Sequence, residues 1–294
     1  MSVTVSSRSR DTWLGGVVPA VKDVAAHNEL LRMLIVKDLK IKYKASAIGL
    51  FWSLLNPLLM MLVYTAIFGT IFGAQKPEFP IYVLSGLLAW TFFGTTLPAA
   101  TTSVVANSNL VKKTRFPTSL LPSSVALSGL VNFVISLVLL FGLVAVYRHP
   151  LGPSLLLLPV LVFAETCFVI GLGLLLSSLN VFFRDVEHFL GIVLTVWFFA
   201  TPIIYPREQI HGNELASTII KVNPMTWLVE SYQDIFYGSP DAVHAGTATT
   251  YLGTFTTTWP NPRPLLGFIA LSLALLVVGF VTFVRLSHRF VEEV

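Results

Sequence analysis

Long apolar runs recur six times along the 294-residue chain, at roughly 48–73, 80–105, 119–147, 154–180, 187–205 and 264–286. A helix crossing a bilayer needs about 20 mostly apolar residues, so each run predicts one span. The alternating segments of about ten residues that build a membrane β-barrel are not seen. Pro57, Pro98, Pro122 and Pro159 fall inside the runs, where neighbouring helices can satisfy the freed carbonyl groups. The expected fold is all-α and integral to the membrane. Residues 1–23 form a flexible N-terminus and 24–294 a single transmembrane domain.

Two segments between the runs carry a different pattern. Residues 24–44 set Leu31, Leu34 and Ile35 against Lys37, Lys40 and Lys44 on roughly opposite helical faces. Asp38 and Lys42 spoil the stripe, and "LKIKYK" also alternates like a strand. The balance favours an amphipathic helix lying at the interface. The second segment, "NPMTWLVESYQDIFYG", is helical in pattern but too short and too charged to span. The polar, Thr-rich stretch after it reads as an irregular loop.

Composition agrees: 54% of residues are hydrophobic and 12% charged, and mean hydropathy is +0.77, whereas soluble domains carry about 25% charged residues. The first twenty residues hold no continuous apolar core of the signal-peptide kind. Cys167 is the lone cysteine, which excludes a disulfide framework within one chain. Charge gives the orientation. Fourteen of the 19 lysines and arginines precede the first run or lie in the 2–3 loop, the 4–5 loop and the C-terminal tail. By the positive-inside rule that side, with both termini, is cytoplasmic. The net charge of +4 is thus an orientation signal, and nothing in it argues for nucleic acid.

Catalytic motifs are missing. There is no GK dipeptide, hence no Walker A phosphate loop, and no HExxH or GxSxG. The six histidines are scattered over loops and helix ends, and no metal site is expected. Glu165 is the one acidic residue well inside a run. An intramembrane carboxylate marks a function or an internal partner. The spacings Gly69–Gly73 and Gly171–Gly173 predict close helix approach. Aromatic residues concentrate in the first, second and fifth runs. Trp52, Tyr64, Trp90, Phe198 and Tyr205 are candidates for a channel whose rings meet sugar C–H faces; an ordinary aromatic belt at the membrane boundary is the other reading.

The hinge "NSNLVKKTRFPTSLLPSS" (107–124) separates the second and third runs. It predicts a short helix, stopped and redirected by Pro117, that projects Lys112, Lys113 and Arg115. Such a knob fits a docking contact better than a topological anchor alone.

From about residue 30 onward the chain resembles the permease subunits of ABC-2-type exporters, specifically the polysaccharide-export branch (Wzm-like and teichoic-acid-export-like). The resemblance rests on the order of "RMLIVKDLKIKYKASAIGLFWSLLNPLLMMLVY", "YVLSGLLAWTFF", "NSNLVKKTRFP", "SSLNVFFRDVEHF", "ATPIIYP" and "NPMTWLVESYQDIFYG". It departs at Gln233, where relatives often carry a basic residue, and in the long loop 238–263. The resemblance implies a homodimer of six-span subunits with two copies of a separate ATPase, which would bind ATP and Mg. Asn109, Lys112, Lys113, Arg115, Phe116 and Pro117 would belong to a coupling helix. Asn223, Pro224, Trp227 and Glu230 would belong to short external re-entrant helices at a gate. The cargo would be a polyprenyl-diphosphate-linked glycan, of cell-wall galactan, O-antigen or teichoic-acid type, crossing the bacterial inner membrane. Lys40, Lys42 and Lys44 are expected to gather its diphosphate among the membrane lipids. Arg184 and Asp185 are expected to form an ion pair at the inner mouth. A permease for a drug or simple lipid is one alternative. A secondary transporter or membrane glycosyltransferase is another, though the intramembrane charges or carboxylate clusters these need are not visible.

Overall fold

The computed structural model describes residues 26–43, 51–71, 78–113, 117–205, 214–238 and 259–293. All regular structure among them is helical. An amphipathic α1 (Asn28–Tyr43) leads to α2 (Phe51–Tyr64), which continues as a wider π-helical turn, Thr65–Ile71. Next come α3 (Phe79–Ala106), the short α4 (Ser108–Lys113) and α5 (Leu120–Tyr147). A 3₁₀ turn, Pro153–Leu157, opens α6 (Leu158–Phe182), followed by α7 (Asp185–Phe199). Two short helices, α8 (Glu214–Val222) and α9 (Pro224–Phe236), precede α10 (Pro262–Leu286). The turn Ser287–Arg289 and α11 (Phe290–Glu293) complete the described chain.

Among the described residues, five helical segments are long and apolar enough to cross a membrane: Phe51–Gly69, Phe79–Ala106, Leu120–Tyr147, Pro153–Phe182 and Pro262–Arg289. The run at 187–205 behaves differently. Its helix has 15 residues, roughly 22 Å at 1.5 Å per residue, and stops at Phe199. Pro202 cannot continue a helix, and Thr201–Ile204 fold back as irregular, buried chain.

α3 is the central pillar. It is apolar on every side and packs against α5, α6 and α9. Small residues set the distances: a Cβ on Gly129 of α5 would come within 2.3 Å of Thr96 Oγ1 of α3. The tightest approach joins α6 to α10, where a Cβ on Gly279 would lie 2.1 Å from the carbonyl oxygen of Gly171. The close packing expected at Gly171 is therefore real, and Gly173 faces Ala100 of α3 at 3.0 Å in the same sense.

The two ends of the bundle are distinct. At one end Leu34 of α1, Val111 of α4, Leu120 and Leu121 of α5, Val181 of α6 and Phe290 of α11 share one apolar cluster. At the other end α9 enters the bundle among α3, α6 and α10.

Candidate functional site

Asn223 organises the α9 end. It caps α9 by accepting from Met225 N at 2.9 Å, and Pro224 follows in the first turn, where its missing N–H costs nothing. The same Asn223 Oδ1 accepts from Trp197 Nε1 of α7 at 2.7 Å. Its Nδ2 donates to Thr201 Oγ1 at 2.9 Å and to Ala200 O at 3.1 Å. One buried amide thus ties the end of α7, the fold-back and α9 into a knot. Trp227 donates to Lys221 O at 2.8 Å and rests on Gly267 of α10. Glu230 is half-buried on α9. Gln233 reaches toward the Pro202 and Ile203 carbonyls at 3.4 Å and lies close over Gly86 of α3.

Sequence reasoning raised Glu165 without finding its partner. Tyr232 of α9 donates to Glu165 Oε2 of α6 at 2.8 Å, and both residues are buried. Among the described residues, the other carboxyl oxygen has no hydrogen-bond partner. Eight residues into α6, this bond pins α9 at depth inside the bundle. No local pattern pairs residues 67 positions apart.

Three of the candidate aromatics meet. Tyr64 lies 6.1 Å from Phe198, and Trp90 meets Phe198 edge-on at 5.4 Å. Tyr205 donates to Phe199 O at 2.7 Å beside them. Trp90 is only 8% exposed; its ring is enclosed within the chain and supports Phe198 from behind, because the pillar α3 buries nearly all its faces. Trp52 lies apart, near the opposite end of α2, and is 57% exposed.

At the other end, α4 forms the expected short helix. Val111 anchors it in the apolar cluster, while Asn109 and Lys112 face outward. Lys113 closes the helix, and Pro117 leads the chain into α5. Arg115 and Phe116 lie outside the described residues, as does Lys44. Lys37 of α1 donates to Asn107 Oδ1 at 3.1 Å, which joins α1 to the start of α4.

On α1, Lys40 and Lys42 are both exposed, and Lys42 also lines a cavity. The surrounding protein strips part of its hydration and lowers its pKa from the ordinary lysine value. Arg184 and Asp185 are both exposed, and among the described residues no ion pair joins them. Asp185 instead sits with Glu187 in the first turn of α7, where acidic groups favour the helix dipole.

Comparison with known proteins agrees with this architecture. The profile of the ABC-2 type transporter family matches residues 29–237. The chain is 33% identical over 278 residues to the O-antigen export system permease protein RfbA of Myxococcus xanthus, covering 95% of this chain and all of that protein. It is 31% identical to the O-antigen export system permease protein RfbA of Klebsiella pneumoniae, covering 90% of this chain and 94% of that one. The polysialic acid transport protein KpsM of Escherichia coli is 22% identical over 228 residues, covering 76% and 86% respectively. A match that takes in α1, the α4 knob, the fold-back and α9, within relatives matched over nearly their full length, shows that the chain belongs to the ABC-2 type transporter family.

Proposed function

We propose that the chain is the membrane subunit of an ATP-driven exporter that moves a lipid-linked polysaccharide out of the cytoplasm across a bacterial inner membrane. It works as a homodimer with two copies of a separate ATPase that holds ATP and Mg. The observation that carries this reading is the likeness to an O-antigen export permease along 95% of the chain.

Six crossings belong to the reading. α1, α4 and α11 gather at one end of the bundle, so the chain between them crosses an even number of times. Five helical segments are long enough, and α7 runs from that end to the Asn223 knot. Counting α7 as the sixth crossing, its shortfall from about 30 Å made up by the fold-back, agrees with that even number. Irregular backbone is tolerated at membrane depth where protein buries it, and Thr201–Ile204 are buried. By the positive-inside rule, the lysines and arginines of α1 and α4 support a cytoplasmic position for that end and for both termini.

In this frame α4 is the knob that seats in the ATPase, presenting Asn109 and Lys112, with Lys113, Arg115, Phe116 and Pro117 completing the contact. Lys40, on the open face of α1, draws the lipid diphosphate. Trp52, Tyr64, Phe198 and Tyr205 meet the glycan. α9, with Asn223, Pro224, Trp227 and Glu230, is a re-entrant helix at the outer gate.

The test combines deletion with charge reversal. Deleting the gene should remove a surface polysaccharide and leave its lipid-linked precursor inside the cell; unchanged surface polysaccharide overturns the reading. Lys112→Glu with Lys113→Glu should abolish co-purification of the ATPase, since charge pairs buried at an interface cost about 2–5 kcal/mol when broken. Normal assembly and export in that double variant would remove the docking role.

A further inference from the structure

A cavity of about 560 Å³ lies between α1, the start of α2 and the α3–α5 pair, a volume typical of small-molecule sites. Asp38 and Lys42, one turn apart on α1, face it from the cytoplasmic end. Thr91, Thr95 and Ser128 form a hydroxyl band on α3 and α5, and Leu88, Phe92 and Phe133 supply apolar walls toward the middle of the bundle. The frame is well tied. Tyr43 Oη donates to Asn132 Oδ1 of α5 and shares a 2.9 Å hydrogen bond with Ser53 Oγ of α2.

The two charges face the same space, yet among the described residues no ion pair joins them. Asp38 has one long contact, accepting from Ser124 Oγ at 3.5 Å, and is attracted by Lys37, whose ammonium is bound to Asn107. Burial raises the Asp38 carboxyl above its ordinary value and lowers the Lys42 ammonium. Asp38 is partly buried and, among the described residues, has gained no full countercharge, while Lys42 brings an exposed ammonium to the same cavity, so a ligand carrying both charges would complete the pair.

We propose that this cavity binds the headgroup of a zwitterionic phospholipid from the cytoplasmic leaflet, with its ammonium at Asp38 and its phosphate at Lys42. The glycerol then meets the hydroxyl band, and the first methylenes of the chains meet Leu88, Phe92 and Phe133. A diphosphate fits less well, because the Asp38 carboxylate repels a second negative charge. An uncharged sugar leaves both charges uncompensated. The membrane is the source, because Ile41 and Trp52 at the rim are 63% and 57% exposed and open the site beside the bilayer interface. The proposal needs only the membrane placement of the chain. It does not rest on the cargo being a polysaccharide, and its test reads no transport.

The complete chain would be extracted from vesicles of equal parts phosphatidylethanolamine and phosphatidylglycerol, and the retained lipid counted by native mass spectrometry. Phosphatidylethanolamine should be retained about tenfold over phosphatidylglycerol, the factor that about 1.4 kcal/mol sets. Asp38→Asn should erase that preference, Lys42→Gln should lower retention of both lipids, and Arg32→Gln, on the exposed face, should change neither. A measurement on the unmodified protein stands apart from any folding defect: phosphatidylcholine, whose ammonium has no N–H to donate to Asp38, should be retained less than phosphatidylethanolamine. Equal retention of phosphatidylethanolamine and phosphatidylglycerol, or an undiminished preference in folded Asp38→Asn, overturns the proposal. Displacement of the lipid by equimolar free phosphoethanolamine would assign the site to a soluble ligand and overturn it as well.

Discussion

The first two long helices stand at opposite extremes of burial. In the most apolar window of Phe79–Ala106, 72% of residues are buried within the protomer, against 11% in Phe51–Gly69. Both are apolar enough to cross a membrane, so hydrophobicity does not separate them. What differs is the size of the side chains at the contacts and the polar bonds that cross them. α3 with α6 and α9, and α6 with α10, meet through glycine and through buried bonds such as Tyr232–Glu165. α2 and α7 instead show large side chains to the outside, among them Leu62, Val63, Ile192 and Val196. Lipid tails are as apolar as leucine, so burying such residues against another helix gains little, and membrane helices associate through close backbone packing and hydrogen bonds. The protomer therefore has a rigid half and a half whose outer surface is left for lipid, cargo or a second copy.

The largest expected effect lies in the rigid half. Gly279→Ala sets a methyl group 2.1 Å from the carbonyl oxygen of Gly171, so α6 and α10 must separate. Overpacking costs about 1–3 kcal/mol and more where backbone must move; a loss of about 3 kcal/mol or more should appear as a collapse in folded yield and melting temperature. A normal melting curve would show that this crossing is looser than its geometry. Next comes Tyr232→Phe, which leaves both Glu165 oxygens buried without a partner. The expected cost is about 1–3 kcal/mol, read as a lower melting temperature.

Trp197→Phe is a smaller break at the boundary between the halves. It deletes one donor to Asn223, which still accepts from Met225 N, so about 1 kcal/mol is expected. Hydrogen exchange should increase in α9 and remain unchanged in α3. Faster exchange throughout would mean that the knot holds the whole bundle and that the two halves are not separable.

This division explains how much could be read from sequence. Five runs became helices long enough to span, because length and apolarity suffice for that. Within the segment 24–44, Asn28–Tyr43 is the helix α1, because its apolar residues repeat at helical spacing and the strand-like "LKIKYK" is too short to compete. The short helix at 224–236 was also legible, from its helical pattern and its length. The run at 187–205 was not fully legible: continuous apolarity cannot tell helix from a buried fold-back, and Pro202 was the local clue. Whether an aromatic ring faces inward depends on what packs behind it, so Trp90 and Trp52 looked equivalent and are placed oppositely. Asp38 and Lys42 appeared as blemishes in an amphipathic stripe, yet they are the two residues of α1 that bring charge to its cavity. Glu165 was visible as an anomaly, but its partner belongs to a helix that only the tertiary fold brings near.

The smallest effect should come from the open half. Ile192 and Val196 of α7 are 66% and 65% exposed within the protomer. If lipid covers them, Ile192→Ala and Val196→Ala exchange contact with lipid for less contact with lipid, and folding stability should move by no more than about 0.5 kcal/mol, as for surface positions generally. If a second copy covers them, the removed methyl groups come from an interface packed protein against protein, and each truncation loses dispersion contacts that lipid replaces poorly. The two cases separate by protein concentration. Unfolding of the detergent-solubilised variants, followed across a hundredfold dilution, should match the unmodified chain at every concentration if lipid is the neighbour. A deficit at high concentration that vanishes on dilution places the partner protomer against α7, and the exposed half becomes the dimer face. A deficit of more than about 2 kcal/mol that persists at every dilution means these side chains pack within their own protomer, and the contrast between the two halves does not extend to α7.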